Sequence, residues 1–150
     1  MNFLSPELPV FLKRLEDLTP ETKAIWGSMS AQRMVEHLSD CINMSLGVGE
    51  FKLQIPEDKI PAMQRFLLSE KPMARGSKVD FAPENFTLRN EDLADAIDEF
   101  TLLWVDFEEY YEENPNSMHL HPFYGELNFE QWKLLHSKHF THHFEQFGIL

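Results

Sequence analysis

"NFEQWKLLHSKHFTHHFEQFG", residues 128–148, decides how this chain is read, because it carries both ends of a helix and four of the seven histidines. Asn128 followed three residues later by Gln131 is a capping box, and Leu127 just before it can staple onto Trp132. Gly148 supplies the stop. At about 100° per residue, Leu135, His136, His139, His143, Gln146 and Phe147 fall within roughly 60° of Trp132 around the axis. Ser137, Lys138, Thr141 and Glu145 fall on the other side, with His142 on the flank. Such a helix turns one stripe inward, and three of its histidines are on that stripe.

Working outward, three more helices are expected. The first covers about residues 6–17, where Leu8, Phe11, Leu12 and Leu15 keep helical spacing after Ser5-Pro6. The second, residues 30–47, has Ser30 as N-cap, Met29 to staple onto Met34 and Gly47 as stop; its apolar stripe runs through Met34, Leu38, Cys41, Met44 and Ser45, with His37 facing inward. The third, residues 91–113 with Asn90 as cap, places Leu93, Ile97, Phe100, Trp104, Phe107 and Tyr111 at the alternating four-and-three spacing of a bundle seam. Between the second and third, residues 48–89 are broken by Pro56, Pro61, Pro72 and Pro83 and hold one short helix, "IPAMQRFLLSE". "NPNSMHLHPFYGEL" reads as a turn-rich loop. The expected fold is therefore all-α: a single domain over residues 1–150, a four-helix bundle with a long crossover between helices two and three.

Composition narrows the function. At 150 residues with 43% hydrophobic content and thirteen Phe, the chain can bury one substantial core. Cys41 is the only cysteine, which excludes an internal disulfide and a multi-cysteine zinc site. No secretory leader or membrane-length apolar run is read, so a soluble, cytoplasmic protein is expected. Of the net charge of −12, residues 91–113 contribute ten acids and no Lys or Arg. That is one solvated helix face, and its sign argues against nucleic-acid binding.

His139 and His143, four apart, stack one turn above each other and can converge on one ion. His37, inward on a facing helix, is the natural third ligand. Three histidines leave one coordination position for water or substrate, the pattern of a catalytic rather than a structural ion. A lone inward histidine is more commonly a satisfied core residue, so the pattern leaves both readings open. His136 shares the stripe and is a possible additional ligand. Cys41, one turn beyond His37, is better read as a small buried apolar residue than as a nucleophile. His119 and His121 lie in the loop, on the side where substrate would enter. Asp40 and Glu36 flank the His37 direction and are the candidate catalytic carboxylates, to orient a ligand or accept a proton.

In order and spacing, "LTPETKAIWGSMSAQRMVEHLSD", "HPFYGELNFEQW" and "KHFTHHFEQFG" resemble a branch of the DinB/YfiT-like superfamily. The resemblance covers both ends of the chain and leaves residues 48–89 unmatched. It implies a four-helix bundle holding a divalent metal, zinc or nickel, through His37, His139 and His143. It also implies a homodimer and a small-molecule substrate, in some relatives a low-molecular-weight thiol. Two functions follow as expectations: a metal-dependent transferase or hydrolase, or a non-catalytic stress-related dimer whose ion braces the fold or whose site is vestigial.

Overall fold

Local signals set most helix ends, and long-range contacts move the rest. The computed structural model describes residues 2–77, 82–83 and 87–150. Helix α1 spans Leu8–Leu15 and α2 spans Ala31–Ser45. The Ser30 hydroxyl caps α2 by accepting from Arg33 N–H at 3.1 Å, as its sequence position requires. A short 3₁₀ turn, Glu57–Lys59, leads into α3, Ile60–Leu68, the short helix expected inside the crossover. Residues 78–81 and 84–86 of that crossover lie outside the described residues.

The next helix, α4, is Leu93–Glu113, and its cap is Asp92 rather than Asn90: Asp92 Oδ1 accepts from Asp95 N–H at 2.8 Å. Asn90 is drawn away by the buried Glu36 carboxylate, which accepts from its backbone and side-chain N–H groups at 3.1 and 3.2 Å. The last helix, α5, spans Phe129–Gln146 with both bonds of the Asn128/Gln131 capping box in place.

The loop between α4 and α5 corrects the expected fold class. It contains two strands, β1 (His119–His121) and β2 (Gly125–Leu127), paired antiparallel with His119 opposite Leu127 and His121 opposite Gly125. Among the described residues there are thus five helices and a two-stranded sheet, so the chain is not an all-α four-helix bundle. Strands of three residues are too short to display alternation in sequence, and their support comes from afar. Gln64 of α3 donates to the carbonyls of Tyr124 at 2.9 Å and Glu126 at 3.2 Å, and Gln54 N–H donates to Pro122 O at 2.8 Å. Gly125 must be glycine: its φ is +76°, and a Cβ there would stand 3.0 Å from the Ile60 side chain.

The core is an aromatic cluster. Phe11 of α1 meets Trp104 of α4 edge-on at 5.0 Å and Phe140 of α5 at 4.9 Å, with Phe100, Phe107 and Phe144 also fully buried. α2 packs chiefly on α4, while α5 lies against α2, α3 and β2. The side of α5 opposite the inward stripe is largely covered as well. Ser137, Lys138 and Thr141 are buried because the N-terminal segment lies over them: Leu4 N–H donates to Thr141 Oγ1 at 2.9 Å and Ser137 Oγ donates to Leu4 O. Lys138 Nζ, 1% exposed, donates to Ser69 O at 3.0 Å and to Lys71 O. Burial holds its pKa below the ordinary lysine value. Among the described residues, no helix is long and apolar enough to cross a membrane.

Candidate metal centre

The spacing on α5 brings His139 and His143 onto one side, and the packing of α2 against α5 brings His37 to meet them. His139 Nε2 lies 3.0 Å from His37 Nε2 and 3.0 Å from His143 Nε2. One ligand atom from each of the three lies within 4.8 Å of the others. The rings stand edge to face, with centroids 4.6 to 4.9 Å apart.

Protons decide what this arrangement can do. Gln146, one turn beyond His143, donates through Nε2 to Trp26 O at 2.9 Å. A carbonyl can only accept, so the amide must turn its oxygen toward His143 Nδ1, 2.7 Å away. His143 Nδ1 therefore carries the proton, and its Nε2 presents a lone pair to the centre. Burial, followed by the charge of His143, drives His37 and His139 well below the ordinary histidine range. Burial also lowers His143 to about 4. All three are neutral imidazoles at pH 7, the state that binds metal.

These residues fit a divalent ion. With His143 Nε2 unprotonated, a single proton on His139 Nε2 can satisfy one of its two imidazole neighbours but not both. Ligand nitrogens ~2.0–2.1 Å from a tetrahedral zinc stand roughly 3.4 Å apart, near the two separations of 3.0 Å around His139, and one ion would take up all three lone pairs. The identity of the ion is not fixed by this geometry.

The triad forms part of the wall of a cavity of about 360 Å³, within the size range of small-molecule sites. Met29, Met63, Phe66, Met73 and Leu135 make much of the remaining wall. Trp26, also on the wall, lies under the Arg75 guanidinium at 3.9 Å and beside His142 at 5.6 Å, and Arg75 is paired with Glu145 at 2.8 Å.

The other candidate residues are placed apart from the triad. His136 is fully buried between Trp132 and Phe140, and its Nε2 meets Ser45 Oγ at 3.0 Å. It does not join the three-histidine group. Glu36 does not line the cavity: it accepts from Gln32, Arg89 and Asn90, and although burial alone would raise its pKa, these donors hold it below the usual carboxylate value. Asp40, also absent from the lining, pairs with Arg89 at 2.7 Å and Arg33 at 3.2 Å. Both carboxylates thus fasten residues 89–90 to α2 or balance arginines. His119 bonds the Tyr110 hydroxyl at 2.8 Å and packs over Gly47, whose Cβ, if present, would stand 2.4 Å from its ring. Cys41, His121 and Tyr124 do line the cavity.

Two contributors carried little signal. Gln146 was placed on the inner stripe without a role, and only its three-residue offset from His143 hinted at one. Trp26 acts through its carbonyl, which no side-chain pattern reveals.

No curated protein and no solved structure matches the chain. A family model described as "Protein of unknown function (DUF1569)" matches residues 6–148, a span that includes the triad, Gln146 and Trp26, and the chain belongs to that family.

Proposed function

We propose that this protein is a metal-dependent enzyme in which His37, His139 and His143 hold a divalent ion, zinc or nickel, and the adjoining cavity holds a small-molecule substrate. One observation carries the reading: three neutral imidazole nitrogens converge on the wall of a cavity large enough for a ligand. A structural ion is normally closed by four protein ligands, whereas only three are grouped here among the described residues. The ion would supply Lewis-acid polarisation of a substrate group, or acidification of a bound water or thiol. The resemblance to DinB/YfiT-like proteins points to the same three positions and adds weight to this reading.

The chain's own residues prepare the site. Gln146 fixes the His143 tautomer, and the methionine and phenylalanine wall limits water. His142, on the wall but outside the triad, is lowered by burial, offset partly by Glu145, and is thus mostly neutral and able to accept a proton at pH 7. The reaction classes that fit are transfer to a low-molecular-weight thiol and hydrolysis, in a protein that can act as a homodimer.

Elemental analysis of untagged protein tests the centre: near-stoichiometric metal is expected, lost in His37→Ala and His139→Ala. Metal-free protein after metal-supplemented growth would overturn it. A panel of small thiols with electrophiles, and a panel of esters and amides, then tests catalysis. Stoichiometric metal with no turnover on either panel would assign the ion a non-catalytic role.

A further inference from the structure

The cavity has a second polar wall that the triad does not use. It comprises Cys41 of α2, one turn beyond His37, with His121 and Tyr124 of the hairpin. These residues are 9%, 6% and 7% exposed. Phe123 N–H donates to His121 Nδ1 at 3.0 Å, so the neutral ring carries its proton on Nε2 and is a donor there. Burial and the neighbouring Cys41 raise Tyr124 to about 12, and burial raises Cys41 to about 12. Both therefore keep their protons at neutral pH. The Tyr124 carbonyl is bound by Gln64, but its hydroxyl has no hydrogen-bond partner among the described residues. A phenol on a cavity wall, with no internal acceptor for its hydroxyl, can donate to an occupant of that cavity.

The rest of the wall describes what brings that acceptor. The methionines and Phe66 offer a soft apolar surface that adapts to different shapes. Among the described lining residues there is no Lys, Arg, Asp or Glu. Without an ion at the triad, a charged ligand would have to shed water here with no counter-charge from those residues.

We infer that the cavity takes an uncharged, mostly apolar small molecule carrying one carbonyl-type oxygen, and that the Tyr124 hydroxyl orients it by donating to that oxygen. The inference deepens the proposed function by naming a substrate class, and rests on it only for the chemistry beside the triad. Binding itself needs no ion. Tyr124 is thus a specificity residue: adaptable methionines accept the body of the ligand, and one fixed donor selects its oxygen.

The test uses three probes of similar size: acetophenone, ethylbenzene and benzoate. Each is titrated into the full chain and into Tyr124→Phe, zinc-loaded and chelator-treated, with dissociation constants from amide chemical-shift changes. For the unmodified protein, acetophenone is expected to bind about 5-fold more tightly than ethylbenzene, the worth of one hydrogen bond, and, in the chelator-treated protein, benzoate at least about 10-fold more weakly than acetophenone. Tyr124→Phe should erase the preference for acetophenone and leave ethylbenzene unchanged, which also shows that the variant is folded. Equal binding of acetophenone and ethylbenzene by the unmodified protein, tightest binding by benzoate in the chelator-treated protein, shifts mapping away from the cavity, or no binding by any probe would each overturn the inference. A ketone preference kept in protein that never takes up zinc would preserve it while removing the metal centre, and zinc uptake without that preference would do the reverse.

Discussion

His136 and His139 lie three residues apart on the same stripe of α5, and their surroundings give them different chemistry. His136 is stacked at 5.7 Å from Trp132 and 5.3 Å from Phe140, and its Nε2 faces Ser45 Oγ. Because Ser45 Oγ–H already donates to Ile42 O, the hydroxyl can accept the imidazole proton, and His136 is a neutral donor within the core. His139 faces two imidazoles that one proton cannot satisfy, and it opens on the cavity. Burial lowers the pKa of both, so titration does not distinguish them. The difference comes from α2, which presents Ser45 at one level and His37 two turns away. A histidine on an inward stripe is a ligand or a core residue according to the side chain that the facing helix brings to it.

The largest expected effect breaks this contrast directly. His139→Ala should abolish stoichiometric metal by elemental analysis while keeping the helical circular dichroism, whereas His136→Phe should retain full metal. If both variants lost the ion equally, the two histidines would belong to one site.

Truncating the sealed histidine should cost stability instead. His136→Ala leaves a cavity between two aromatic rings and removes the donor to Ser45, a loss of about 2–4 kcal/mol in urea unfolding. Metal per folded chain should not change.

Gln146 sharpens the other side. Gln146→Leu removes the partner of His143 Nδ1, and metal affinity should fall about 10–100-fold in chelator competition. Gln146→Glu keeps an acceptor for His143 but turns a second acceptor toward Trp26 O, so a smaller fall is expected.

The smallest effect is in pH dependence. Burial pushes His136 and His121 down to about 3, below the ordinary value of 6.5 that the unfolded chain restores. Their folded-state pKa values are depressed, so the stability linked to them is fully present above pH 6.5 and is lost as pH falls toward 3. His136→Phe should flatten that decline by about 1.4 kcal/mol per pH unit between roughly pH 6 and 4. An unchanged slope in unfolding curves would mean that His136 is charged in the fold.

What the sequence made legible follows the range of each interaction. The Asn128/Gln131 box, the Ser30 cap and the four-residue step from His139 to His143 are local, and all are present in the structure. Their meaning needs only helix geometry. Asn90 looked like a cap because nothing nearby in sequence shows that Glu36, 54 residues earlier, takes its N–H groups. The hairpin was read as loop because its support comes from Gln64 and Ile60 of α3. Ser137 and Thr141 fall opposite the inward stripe, and nothing near them in sequence shows that Leu4, more than 130 residues away, covers them. The same holds for the cavity, whose wall draws on α2, α3, the hairpin and α5 together.

Lys138 carries a consequence for the order of assembly. Its ammonium grips Ser69 and Lys71, residues synthesised 67 or more positions earlier, just before the cavity-wall residues Met73 and Ala74. Until α5 has emerged and docked, that stretch lacks the donor that pins its carbonyls, and closing so long a loop requires the helix to be in place first. The binding chamber is therefore completed only after α5 has been made. Its last wall and two of its three imidazoles arrive on the same helix, which makes their appearance a single event in folding.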